Sequence, residues 1–271
     1  IHYLIYRMSD KFWLILISIV LAIVYAVDYK LDKANSVSQD LLKTIKNRGY
    51  IIVGVKTDTR PFGYLENGKN VGFDVEIARY IAKDIFHDPS KVEFVQVTPS
   101  NRLYFLNVEK VDMVVATMTT SPERRTIINF SKPYFVAGQA LLVRAGSPIK
   151  NLADLDNKNV GVLYGSTAEK NIRMLIPSVN VYGYKTYHDA YRALKAGTIQ
   201  GITSDDTILR NYALTDPSVK LLPKRYTREL YAIGVRKGDD TKNLLKLIDM
   251  NISNMVNDGT LTSLKRKWKL N

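Results

Sequence analysis

Val111-Asp-Met-Val-Val-Ala-Thr-Met-Thr-Thr-Ser-Pro-Glu-Arg-Arg125 is the stretch on which the fold turns. Its first half, residues 111–116, is a short β-branched run that reads as a buried strand. The second half breaks into hydroxyls, a proline and a guanidinium. Thr117 and Thr119 offer hydroxyl and backbone donors, and Arg124 offers a planar fork suited to a carboxylate. A strand ending in such a cluster places polar groups at its carboxyl edge, where open α/β sheets bind small ligands. The segment reads as a receptor for the carboxylate end of an amino acid. The local pattern by itself favours a plainer alternative, a strand followed by a solvated turn with Arg124 in a surface ion pair.

Working outward, the flanking chain alternates strands and helices. Upstream, residues 50–55 predict a strand, and 56–63 are rich in turn residues. Phe73, Ile77, Ile81 and Ile85 recur every four residues and predict a helix with one buried face. Residues 92–97 alternate as a strand and 101–108 resume a helix. This β-α-β-α-β series predicts a mostly parallel sheet covered by helices. Downstream, residues 135–143 form an extended apolar crossing. A second series follows, with strands over 159–163, 179–182, 199–203 and 219–222 and helices over 168–175, 188–194 and 207–213. Residues 229–235 cross back, and one long helix over 241–268 closes the chain. Two β/α series joined by two crossings predict two lobes (48–136 with 230–271, and 137–229) and a ligand cleft between them. The series are too unlike in sequence to be an internal repeat.

Residues 12–27 are an almost unbroken apolar run preceded by Arg7 and Lys11. The run falls just short of the ~20 residues of a full membrane span, and Val24-Tyr25-Ala26 is a tolerable cleavage site. Residues 1–33 read as a signal peptide or a membrane anchor, and both send the remainder outside the cytoplasm. From Asp28 the chain turns polar and reads as a linker that runs, with a short amphipathic helix over 40–47, to residue 47. The first residue is Ile, and Met8 is a candidate start. The chain has no cysteine, which excludes disulfides, thiolate metal sites, thiol catalysis and a lipid-modified cysteine. Three scattered histidines speak against a transition-metal site. The formal charge of +13 is spread along the chain, with one short cluster at Lys265-Arg-Lys-Trp-Lys269 and no nucleic-acid module. It reads as a solvated basic surface.

Polar chemistry falls at four predicted strand ends: Lys56, Thr117 to Arg124, Gly165-Ser-Thr167 and Ser204-Asp-Asp206. Singly each is an ordinary turn; together, at matching places in both series, they mark a site. Here the chain resembles the extracytoplasmic polar-amino-acid-binding proteins of ABC importers, which have the type II periplasmic binding fold. The motifs are Gly-Val-Lys-Thr-Asp-Thr-Arg-Pro-Phe-Gly-Tyr (54–64), Val-Gly-Phe-Asp-Val (71–75), Ala-Thr-Met-Thr-Thr-Ser-Pro-Glu-Arg (116–124), Asn-Phe-Ser-Lys-Pro-Tyr (129–134), Gly-Ser-Thr (165–167) and Ser-Asp-Asp (204–206). The resemblance implies that Arg124 forks the ligand α-carboxylate, helped by Thr119 and the backbone around Thr117 and Ser166-Thr167. It implies that Asp205 accepts the α-ammonium. It also implies binding without catalysis or cofactor, and a membrane permease that recognises the closed form.

Side-chain preference rests on a second likeness. Val97-Thr-Pro-Ser-Asn-Arg102 resembles a Ser-x-Asn-Arg segment of the glutamate/aspartate-binding branch, in which Arg102 and Lys56 would face the ligand side chain. Pro99 departs from that branch, which can carry a hydroxyl there. Lys56, Arg102 and Arg124 against Asp205 leave the cleft at roughly +2, favouring a dicarboxylic amino acid; Asp58, turned inward, would cancel part of this. Tyr187 is a candidate wall of the second lobe. Two alternatives stand beside this reading. One is a prephenate- or arogenate-type dehydratase on the same fold, with Glu169 as its acid, although a helix-start glutamate is ordinarily a cap. The other is the amino-acid-sensing ectodomain of a membrane receptor, against which stands the lack of a second apolar span before Asn271.

Overall fold

The computed structural model describes residues 10–35 and 40–270. Arg7, Met8 and Asn271 lie outside the described residues. Helix α1 (Asp10–Asn35) belongs to a unit of its own. It runs eight residues past Val27, where a linker was expected, because residues 29–34 are mostly good helix formers. Its large apolar side chains from Ile15 to Val27 are exposed, as is Trp13. Among the described residues no helix is long and apolar enough to cross a membrane, so the anchor alternative finds no support among them.

The second unit spans Leu41–Asn271. Its first helix, α2 (Leu41–Arg48), buries Leu41 and Ile45. Strand β1 (Ile51–Val55) is apolar on both faces, as a central parallel strand must be. The turn-rich residues 56–63, with the stretch after them to which no element was assigned, form a small antiparallel sheet of β2 (Asp58–Thr59), β3 (Gly63–Glu66) and β4 (Lys69–Val71). Helix α3 (Phe73–Phe86) buries the four-residue repeat, Phe73, Ile77, Ile81 and Ile85. Next come β5 (Val92–Gln96), α4 (Arg102–Asn107), β6 (Met113–Val114), α5 (Pro122–Ile127) and β7 (Ile128–Ala137). The expected strand over 111–116 keeps ladder pairing only at Met113 and Val114, because Thr117 turns left-handed (φ 45°) and bends the chain.

The second series comprises β8 (Gln139–Arg144), β9 (Asn159–Leu163), α6 (Thr167–Leu175), β10 (Asn180–Tyr184), α7 (Tyr187–Ala196), β11 (Gly201–Asp205), α8 (Asp206–Thr215) and β12 (Val219–Leu221). Strand β13 (Glu229–Arg236) returns to the first sheet, followed by α9 (Lys242–Asn257) and α10 (Thr260–Lys267). The single long helix expected over 241–268 is therefore two. Gly259 takes the left-handed conformation (φ 79°), and the Asp258 carboxylate accepts from the Thr260 amide at 2.8 Å, which starts a new helix.

Both large sheets follow one plan. The first has the order β5-β1-β6-β13-β7 and the second β10-β9-β11-β8-β12. In each, three parallel strands are followed by one that runs antiparallel to them and an edge strand antiparallel to that one. This is the two-lobed type II periplasmic binding fold. Each lobe has its own core, such as Ile51, Val53, Ile77, Ile81 and Ile248 in the first and Val160, Val162, Ile172 and Leu141 in the second. Each such side chain contributes about 1.5–3 kcal/mol by burial. The lobes also meet, since Leu163, Tyr187 and Ile208 of the second pack into the core of the first.

Candidate ligand site

The shared plan brings the carboxyl ends of β1, β6, β9 and β11 to the seam between the sheets. From the end of β1, Lys56 enters the interior with only 1% of its surface exposed, and its Nζ lies 2.6 Å from Asp58 Oδ1. Burial pulls the Lys56 ammonium below its ordinary range, against the attraction of Asp58. Asp58 itself keeps 31% of its side chain exposed, so the pair runs from the interior to the rim.

From the end of β6, Thr117 and Thr119 are buried. The Thr117 amide donates to Asp74 Oδ2 at 2.9 Å, which holds the left-handed bend, and the Tyr134 hydroxyl donates to Asp74 Oδ1 at 3.0 Å. Arg102, on α4, is buried beside this bend. Its Nη1 donates to the Ala116 carbonyl at 2.5 Å and, more weakly, to that of Thr117 at 3.4 Å, while its Nε has no partner. Burial and the neighbouring Arg124 pull the Arg102 guanidinium down to about 9.

Arg124 is delivered by a helix start rather than a solvated turn. The Ser121 hydroxyl accepts from the Arg124 amide at 3.2 Å and Pro122 occupies the first turn, a cap that opens α5. The buried guanidinium donates from Nη1 to the Thr119 carbonyl at 2.7 Å and from Nη2 to the Gly165 carbonyl of the other lobe at 2.9 Å. Burial lowers its pKa, and nearby Glu229, Asp205 and Glu123 act in the opposite direction.

From the second lobe, Ser166 and Thr167 open α6. The Ser166 hydroxyl donates to the Leu163 carbonyl at 2.7 Å, and the Thr167 hydroxyl donates to Glu229, at the start of the returning strand, at 3.1 Å. Tyr187 is buried, its hydroxyl 2.7 Å from Ser204 Oγ and its ring 6.0 Å from Lys56 Nζ. Asp205 ends β11 and is partly buried. It accepts from the Tyr231 hydroxyl, and burial pushes its carboxyl up to about 7.

Arg124, Thr119, Ser166 and Thr167 line one interlobe cavity of about 740 Å3; Lys56, Arg102, Tyr187 and Asp205 are off its lining. Thr117 is also off it. Glu169 borders the cavity but pairs with Arg173 at 3.1 Å on the surface of α6, the ordinary use of a helix-start glutamate.

Several polar groups of the seam were missed from sequence. Glu229, 3% exposed, accepts from Thr167, Thr227 and Asn171, and so ties the start of β13 to α6. Asp74 is fully buried, and burial pushes it up to about 7. The available signal was weak: one acid in the first turn of an apolar helix, and one opening an apolar strand. Their presence corrects the charge count. Lys56, Arg102 and Arg124 face Asp58, Asp74, Asp205 and Glu229, so three cations meet four carboxyl groups and the expected excess of positive charge is absent.

Residues 51–271 match the model of the bacterial extracellular solute-binding proteins, family 3. The ABC transporter glutamine-binding protein GlnH of Bacillus subtilis is 40% identical over 234 residues, covering 85% of each chain. The L-cystine-binding protein TcyJ of Escherichia coli is 31% identical, covering 85% of this chain and 86% of its own. Among solved structures, an ancestral arginine-binding protein bound to glutamine superposes with a TM-score of 0.76 at 37% identity, over 82% of this chain and 98% of that one.

Proposed function

The chain belongs to the bacterial extracellular solute-binding proteins, family 3, and on that premise we propose that it captures glutamine between its lobes and presents it to an ABC permease. The lobes of this reading are residues 48–136 with 230–271, and residues 137–229. Arg124, with Thr119 and the backbone at Thr117, Ser166 and Thr167, takes the α-carboxylate. Asp205 takes the α-ammonium. Arg102 and Tyr187 wall the side-chain end, beside Lys56.

The observation that carries the choice of glutamine is the Lys56–Asp58 pair at 2.6 Å. A carboxamide both accepts and donates, so its oxygen suits the ammonium and its NH2 suits the carboxylate. A glutamate side chain would set one of its oxygens toward Asp58, a partly exposed carboxylate whose repulsion disfavours a second negative charge beside Lys56. The dicarboxylate reading rested on a positive excess that Asp58, Asp74 and Glu229 remove. The glutamine-binding relative from Bacillus subtilis supports the same choice. Binding without turnover is the corresponding mechanism: the ligand bridges the lobes and favours the closed arrangement by contacts made only there.

Calorimetric titration with glutamine, glutamate, aspartate, arginine and cystine tests this. Glutamine is expected to bind about tenfold or more tighter than glutamate; glutamate binding as tightly as glutamine would overturn the assignment.

A further inference from the structure

A second cavity, about 480 Å3, lies between the lobes and shares no lining residue with the one beside Arg124. Six cations line it: Arg60, Arg210, Arg225, Lys265, Lys267 and Lys269. Among the described residues, none of its walls is acidic. Arg210 and Arg225 come from the second lobe and the other four from the first.

Part of this charge is answered from behind the walls. Arg225 and Arg210 approach Asp206 at 2.5 and 3.8 Å, Lys267 reaches Glu76 at 2.7 Å, and Arg60 reaches Glu66 at 3.6 Å. Lys265 and Lys269 have no acidic partner among the described residues. Lys265 is partly buried over the Phe135 ring, 5.5 Å from its centre, and burial lowers its pKa with no acid opposing the shift. On the opposite wall, from α8, the Thr207 hydroxyl is buried without any hydrogen-bond partner. Trp268 is half-buried and adds flat apolar surface, while the Tyr64 ring, edge to face with it at 6.1 Å, is buried beneath the Arg60 guanidinium.

A partly buried cation without an acid, Lys265, and an orphan buried hydroxyl in a concave, partly apolar site are unfavourable unless an acceptor fills it. The volume is that of a small-molecule site. We propose that this cavity is a second binding site, distinct from the amino-acid cleft, for a small organic anion that carries a phosphate group and a flat ring. The anion meets Lys265 and Lys269, accepts from Thr207, and lays its ring against Trp268.

The test is a titration of the full chain, in mild detergent and without amino acid, with adenosine monophosphate and with ribose 5-phosphate, read by calorimetry and by tryptophan fluorescence of a Trp13→Phe variant, in which Trp268 alone emits. A single saturable site is expected for the nucleotide, with ribose 5-phosphate about tenfold weaker because it lacks the ring. Lys265→Gln with Lys269→Gln is expected to weaken the nucleotide by about tenfold or more. The remote pair Lys242→Gln with Lys246→Gln, which borders a different surface hollow, is expected to leave it unchanged. Leu214→Glu, on the opposite wall, is expected to abolish binding. Absence of saturable binding, equal binding of ribose 5-phosphate, or equal loss in both lysine pairs would overturn the proposal. The titration contains no amino acid, so its outcome is independent of the glutamine assignment.

Discussion

The guanidinium of Arg124, on one lobe, donates to the carbonyl of Gly165, on the other, at 2.9 Å. Gly165 takes φ 76°, and a Cβ there would stand 2.7 Å from the Pro99 carbonyl oxygen and from the Ser100 Cα. The seam closes at this point only because one side is bare backbone. Pro99, the departure from the glutamate/aspartate-like segment, thus abuts the second lobe.

Gly165→Ala should therefore act on closure more than on folding. The left-handed strain costs about 1–2 kcal/mol of stability. The clash with residues 99–100 arises only with the lobes together, so ligand affinity should fall by a further factor of about ten or more. Comparing urea unfolding of ligand-free protein with calorimetric affinity separates the two; equal losses in both would refute the argument.

Arg124→Ala removes both the charge and the fork, and should weaken amino-acid binding by about 2–5 kcal/mol. Arg124→Lys keeps the charge but cannot reach the Thr119 carbonyl, the Gly165 carbonyl and a carboxylate as one planar group. It should still lose about tenfold or more. Calorimetry of the two variants checks the order.

Asp205 gives binding and stability opposite pH dependences. An ammonium needs its ionised form, so affinity should weaken as pH falls below about 7, by up to about tenfold per unit. For ligand-free protein the sign reverses. A folded carboxyl raised above its ordinary value stabilises fully below the ordinary carboxyl range, and that contribution is lost as pH rises through about 7. Asp74 adds a similar slope. Melting curves from pH 5 to 8, with and without glutamine, should diverge in this way. Asp205→Asn should remove the pH dependence of binding and leave the Asp74 share of the stability slope.

Asp58→Asn leaves Lys56 buried without its counter-charge. Glutamine should lose about 1–3 kcal/mol, while glutamate should lose less or gain, because its carboxylate now meets an unopposed ammonium. The ratio of the two affinities, measured before and after substitution, is the informative quantity. An unchanged ratio would place Asp58 outside the side-chain contacts.

The chain's alternation of strands and helices was legible because local chemistry sets it. The repeat at Phe73, Ile77, Ile81 and Ile85 lies on the buried face of α3, and β9 is bounded by the residues its sequence suggests. What escaped depends on single residues within continuous patterns. Helical apolar spacing runs on either side of Gly259, so the break between α9 and α10 is silent. The small sheet over 58–71 is masked by Pro61, Gly63 and Gly68, which read as turns. The polar network of the seam was the least legible part. Asp74 meets Thr117 over 43 residues of sequence, and Glu229 meets Asn171 over 58, separations that no local window contains. The Lys56–Asp58 pair, together with the buried Asp74 and Glu229, changed the chemistry inferred for the cleft.

The two passes of chain between the lobes are hydrogen-bonded to each other on both sides of the seam. Glu229 pairs with Ala137 at the end of the β7–β13 ladder. Just beyond, the Gln139 amide donates to the Thr227 hydroxyl at 3.0 Å and the Tyr226 amide to the Gln139 carbonyl at 2.8 Å. A spine of two bonded passes, unlike a single strand, would confine any opening of the lobes to a book-like swing and return Arg124 and Gly165 to register on closing.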